Sequence, residues 1–301
     1  MSSVAQYRAF GLSIASALPL PELPLEPSTA PADVEIMLGA VSPDGIPGGV
    51  PLSPVRWGGP QQYWIDEPGV CRVLIERGVR LTVEPVANAD DGALRLVVLG
   101  VSMAAILYQR GYLILHGNAV AIGEGCIVCV GHSGAGKSTL CTEFIRRGFS
   151  LLADDVCAVA PDGTVQPGYP RIKLWQDAAQ KLDVDTAALA RLRQGLDKFS
   201  LPLEHQFVSK PLPLRAVYTL TRAPQDRVTL TPLRGMARLS PLREYVFFAQ
   251  FLHALGAETR HLQQATALSA RIRLVQVTRP EQGFTAPEIA GLILADLEGP
   301  A

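Results

Sequence analysis

The chain has 301 residues, of which 48% are apolar and 18% charged, and its formal net charge is −1. That composition excludes disordered, collagenous and disulfide-scaffold proteins, and the length allows a large core and two domains. The near-zero balance hides an asymmetry: residues 1–100 carry six Lys/Arg against eleven Asp/Glu, and residues 186–280 carry fourteen against five.

The basic region suits an anionic partner such as a nucleotide or an acidic peptide, unless its arginines only meet solvent or support a site. It has no basic stripe interleaved with aromatics, so no nucleic acid is expected. No apolar run approaches the ~20 residues of a membrane span, and the opening residues lack the plan of a signal peptide. The expectations are therefore no membrane and a cytoplasmic location. Five cysteines without secretory features imply free, buried thiols. Cys126 and Cys129, three apart in an apolar strand, point to opposite faces and do not form a metal pair.

Residues 5–100 read as a β-rich module. A strand over 7–15 is followed by a proline-rich stretch to residue 31, a short strand over 34–38, and a Pro/Gly-rich loop over 43–60. Segments 62–66, 69–76, 79–85 and 94–99 then predict an antiparallel sheet. Trp57, Tyr63 and Trp64 are expected as packing residues. A helix over 101–110 ends at Gly111, and a strand pair turns around His116, Gly117 and Asn118.

The next stretch carries the chemistry. Residues 131–138 read GHSGAGKS, two glycines spaced for a phosphate loop and followed by Lys-Ser, between an apolar strand over 126–130 and a helix over 139–147. Gly131, Ser133, Gly134, Ala135 and Gly136 let backbone N–H groups curl around phosphate oxygens, and Thr139 opens the helix whose positive end adds to them. Lys137 can reach the β- and γ-phosphates, and the Ser138 hydroxyl can ligate Mg²⁺.

Downstream, a strand over 150–153 ends in Asp154 and Asp155. One carboxylate can orient Mg²⁺ while the other takes a proton from an attacking hydroxyl, provided a turn aims both into one site. His116 is a candidate helper. Further on, short strands over 165–174, helices over 176–181 and 187–196, and a proline-interrupted loop over 201–214 are expected. Paired strands over 216–222 and 227–232, helices over 241–255 and 259–271, and a strand over 272–278 follow. A capping-box helix starts at Thr285.

The run from HGNAV through GHSGAGKS to RRGFSLLADDV resembles the kinase domain of the HPr serine kinase/phosphorylase family, with a phosphate-binding core similar to that of phosphoenolpyruvate carboxykinase. The resemblance implies an α/β (α+β) phosphate-loop kinase domain over 101–301 behind a smaller β-rich domain over 1–100. It also implies ATP and Mg²⁺ as cofactors and phosphorylation of a serine hydroxyl. Lys137 would contact phosphate, with Asp154 the base, Asp155 and Ser138 on the metal, and His116 an active-site helper.

The family's glycine-rich signature is absent, whereas YPRIKLW and DKFSLPL look similar to the HPr-kinase-like proteins of lasso-peptide biosynthesis. Those imply a peptide acceptor, the C-terminal serine of a precursor, and draw attention to Arg171, Lys173 and Lys198. The alternatives are an HPr-type kinase/phosphorylase, a small-molecule hydroxyl kinase, and a non-catalytic nucleotide-gated peptide-binding module. A homo-oligomer is compatible with each.

Overall fold

The computed structural model describes residues 4–26, 28–181, 184–186, 189–193, 195 and 197–299. The chain is a mixed α/β protein with two main sheets. The first contains β1 (Ala5–Ala9), β2 (Leu12–Ser16), β3 (Val34–Leu38), β4 (Val50–Ser53), β5 (Arg56–Gly59), β6 (Gln62–Glu67), β7 (Cys71–Glu76) and β8 (Arg80–Pro85), in the order β1-β2-β3-β8-β7-β6-β5-β4. Strict alternation along β7 buries Cys71, Val73 and Ile75 on one face.

Three expectations need correcting in this sheet. The strand over 7–15 is a hairpin, because Phe10 and Gly11 both take positive φ (54° and 73°) and form a two-residue turn. The loop over 43–60 contains β4 and β5. The sheet is not wholly antiparallel, since β3 runs parallel to both β2 and β8. The long proline-rich crossover between β2 and β3 is what permits a parallel pair.

Residues 94–99, expected as a strand, belong instead to the helix Asp91–Gln109, which has a π turn at Val98–Ser102. Asp90 starts it by accepting the Ala93 N–H at 2.7 Å. The apolar residues run round every face, so the strand-like pattern was that of a buried helix. Its 19 residues and hydropathy of 1.6 match a membrane span by length and composition, contrary to the expectation that no run comes near one; 78% of that window is buried within the protein. The residue-100 boundary falls inside this helix. Met103, Ile106 and Leu107 pack in one core with Val73, Ile75, Leu81, Phe247 and Phe251.

The second sheet is built from β9 (Leu113–Ile122), β10 (Gly125–Val130), β11 (Ser150–Val159) and β12 (Thr164–Val165). After β13 (Arg171–Trp175), β14 (Ala190–Arg191) and β15 (Lys198–Pro202), which form a small third sheet, it is completed by β16 (Leu212–Ala223), β17 (Thr229–Pro232) and β18 (Arg273–Pro280). β10 lies between antiparallel β9 and parallel β16, and β16 lies beside parallel β18. Every residue of β10 is buried, Val128 against Leu242 and Leu268 on one face, Ile127 against Phe144 and Ile293 on the other. This double burial explains its unbroken apolar run.

Other differences are local. β9 is one strand, not a pair around His116. β16 and β17 do not pair; β18 separates them. The helix over 241–255 is two, Ser240–Glu244 and Gln250–Ala254, interrupted near Phe248 at φ 49°. The helix over 187–196 lies partly outside the described residues, and within it Ala190–Arg191 is strand. β15 and β16 take both ends of the loop over 201–214. The C-terminal helix, Ala286–Glu298, has no side-chain cap from Thr285, whose carbonyl takes the Ile289 N–H instead. All five cysteines are free and buried.

Phe251 is fully buried, tilted on Tyr63 at 4.3 Å and edge-on to Tyr108. Phe251→Ala is expected to lower stability by about 3–5 kcal/mol in urea denaturation.

Candidate active site

The chain leaves β10 through Gly131, Gly134 and Gly136, at φ 151°, 78° and 109°. Gly131 is obligatory: a Cβ there would lie 2.7 Å from the Leu220 carbonyl oxygen and 3.1 Å from Ala135 Cβ, so the loop sits directly on β16. Gly136 caps the helix Lys137–Arg146 in the left-handed region, leaving the first N–H groups of that helix without intrahelical partners. Ser133 through Thr139 line a cleft. Lys137 Nζ lies back across the loop, donating to the carbonyls of Gly131 (2.7 Å) and His132 (3.3 Å). His132 points out to Glu244, 3.2 Å away.

Asp154 and Asp155 line the same cleft. Adjacent strand residues normally face opposite ways; here β11 carries a bulge between Leu151 and Ala153 and Asp155 takes a φ of 71°. The strand itself continues to Val159, so the expected turn at its end is a kink within it. Asp154 accepts the Asn118 side-chain N–H and, at 2.8 Å, the Lys173 backbone N–H. Asp155 accepts Lys173 Nζ at 2.7 Å and lies 3.2 Å from His116 Nδ1. That last pair lacks hydrogen-bond alignment, because Nδ1 is buried without a bonded partner. It is an ionic contact only when the imidazole is protonated.

These surroundings drive the two carboxylates apart. Burial, then the neighbouring Asp155, pushes Asp154 up to about 6. Burial acts on Asp155 too, but Lys173 and His116 outweigh it and hold the group well below the usual carboxylate range. Lys173 is raised despite its burial because Asp155 favours its charge. Burial lowers both His116 and Lys137, with Asp155 opposing in each case.

Thus His116, Lys137, Ser138, Asp154 and Asp155 share one cleft, joined by Lys173 and Lys198. Gly131 only seats the loop. Arg171 points elsewhere, toward Ser200 Oγ and the Pro21 carbonyl. Sequence reasoning missed Asn118, which it placed in a turn that does not exist. It also missed Arg222 and Arg279, which end the parallel strands β16 and β18 and donate to the loop carbonyls of Gly134 and Ala135. Ligands in open α/β sheets sit beyond the carboxyl ends of parallel strands, and that rule would have singled both out. Trp175 and Phe284 complete the walls.

No family model and no curated protein matches the chain. The solved structure of the Hpr(Ser) kinase/phosphatase from Coxiella burnetii is similar to it at 14% identity, over 62% of this chain and 99% of that one, with a TM-score of 0.31. The chemistry of the cleft has to be read from its own residues.

Linkage gives the acid pair a pH signature. The lowered Asp155 contributes stability that is present above its unfolded value of ~3.9 and lost as pH falls. The raised Asp154 contributes in the opposite sense, with stability lost as pH rises through about 6. Lys173→Met removes the shared cation and leaves two raised acids. In urea melts, the variant should fall below the parent by roughly 3 kcal/mol or more at about pH 8 and by clearly less at about pH 5. A difference independent of pH would count against the bridge.

Proposed function

We propose that the cleft transfers the terminal phosphoryl group of ATP to the hydroxyl of a serine in a peptide or protein. One observation carries this reading: the loop over 131–138 lines one cleft with two adjacent carboxylates, of which Asp155 takes the Lys173 ammonium while Asp154 takes only N–H groups from Asn118 and the Lys173 backbone. A loop alone says only that phosphate is bound. The divided acid pair supplies what a hydroxyl acceptor needs.

The phosphates would lie against the N–H groups of 133–139, with Lys137 released from its loop carbonyls to meet them. Asp154, raised toward neutrality, suits proton removal from the incoming hydroxyl. Its hydrogen bonds from Asn118 and the Lys173 backbone fix its orientation and leave acceptor lone pairs unused. Asp155 stays ionised and, with the Ser138 hydroxyl, would hold Mg²⁺. Among the described residues no cluster of three or more His, Cys, Asp or Glu forms a metal site, and magnesium requires none: one or two protein oxygens suffice, phosphate and water supplying the rest. When bound, the ion neutralises charge on the phosphates. Arg222 and Arg279 keep the loop in register, so catalysis here is positioning and electrostatics.

The acceptor approaches past Trp175 and Lys198, whose ammonium lies 5.4 Å over the Trp175 ring. At its most specific, the acceptor is the C-terminal serine of a lasso-type precursor peptide.

Purified protein with Mg-ATP should label a serine-bearing peptide, and Asp154→Asn or Lys137→Ala should each reduce the rate by roughly 10²–10⁴-fold. Undiminished labelling in both variants would sink the site assignment. As Asp154 loses its proton, kcat/KM should climb with pH through about 6 and then level off.

A further inference from the structure

Two large aromatic side chains stand exposed in the cleft, Trp175 and Phe284, each 42% exposed. Their places follow from strand order. The carboxylates sit on β11, two strands from β10 by way of β9. On the other side, Arg222 ends β16 next to β10, and Arg279 ends β18 beyond it, with Phe284 in the turn that follows. At a spacing of ~4.8 Å per strand, β10, which carries the loop, lies about 10 Å from β11 and from β18, while Arg222 and Arg279 reach across to the loop itself. The terminal phosphate of a nucleotide on the loop has to face Asp154 and Asp155. The ribose and base are then left to the opposite wall, where Phe284, Ala286 and Ile289 line the cleft.

We infer that Phe284 is the platform on which the nucleobase stacks, and that the base is held without its edge being read. The inference rests on the kinase reading of the same cleft. Telling adenine from guanine takes fixed donors and acceptors, typically a carboxamide or carboxylate placed at the base edge. Among the described residues lining the cleft, the carboxylates and carboxamide are Asp154, Asp155 and Asn118, all on the far wall, and the side-chain hydroxyl beside Phe284 is that of Thr285, which can donate or accept and so suits either purine. Arg222 and Arg279 are donors already turned toward the carbonyls of Gly134 and Ala135. A stacking platform tolerates any large π face, so the protein takes purine triphosphates with little preference between them.

Calorimetric titration of the full chain needs no acceptor and uses three probes with magnesium: ATP, GTP and inorganic tripolyphosphate. The parent should bind ATP and GTP within about tenfold of each other. Phe284→Ala should weaken ATP by about tenfold and leave tripolyphosphate unchanged, and Phe284→Trp should restore ATP binding. Unaltered ATP affinity in Phe284→Ala overturns the platform, as does equal weakening of tripolyphosphate. A preference for ATP over GTP of more than about a hundredfold overturns the unread edge. If the parent binds neither ATP nor tripolyphosphate, the nucleotide reading of the cleft fails, and the platform with it.

Discussion

The cleft depends on Lys173. Its ammonium holds Asp155 while its backbone N–H holds Asp154, so one residue on β13 grips both carboxylates of β11 with two different groups. Two buried carboxylates side by side repel and, unassisted, would not both ionise. Lys173, aided by His116, resolves this unequally, favouring the charge of Asp155 and leaving Asp154 raised. The inequality sets the proton affinities of two consecutive residues apart, Asp154 raised and Asp155 lowered. It also requires the small third sheet to dock where it does, since β13 brings the cation.

The phosphate loop is governed by a different constraint, close approach of backbone. Gly131 lies against the Leu220 carbonyl, and the two arginines at the ends of β16 and β18 tie the loop carbonyls to the sheet. The loop is thereby positioned by the same parallel strands that carry the opposite wall. Loop placement and sheet geometry are one problem, solved from the β16–β18 side. The two carboxylates are placed from the β9–β11 side.

Much of this was legible in the chain. The glycines, Lys137, Ser138 and the acid pair announce themselves by local spacing, because a phosphate loop is a contiguous motif. What was not legible depends on pairings between distant segments. Asn118 reaches Asp154 only because β9 and β11 run side by side, and residues 94–99 became helix because burial on all sides erases the period that separates helix from strand. The positive φ of Asp155 is tolerated for the sake of aiming a side chain, and no propensity signals it. Lys173 was singled out by resemblance; its double grip is tertiary.

The segment after the helix Ser240–Glu244 runs beside β9: the Tyr245 carbonyl takes the His116 N–H at 2.8 Å and the Phe247 N–H reaches the Ile114 carbonyl at 3.0 Å. The Phe247 ring lies 5.4 Å from the His116 ring, and its carbonyl accepts the Tyr108 hydroxyl at 2.5 Å, as the Phe251 carbonyl accepts that of Tyr63. The phosphate-loop sheet is therefore not portable. Transplanted without the first sheet and its helix, it would carry bare phenylalanines and two carbonyls stripped of their phenol partners, immediately behind the histidine that faces Asp155. A substitution in the first sheet can therefore disturb a cleft to which, among the described residues, that sheet contributes no lining side chain.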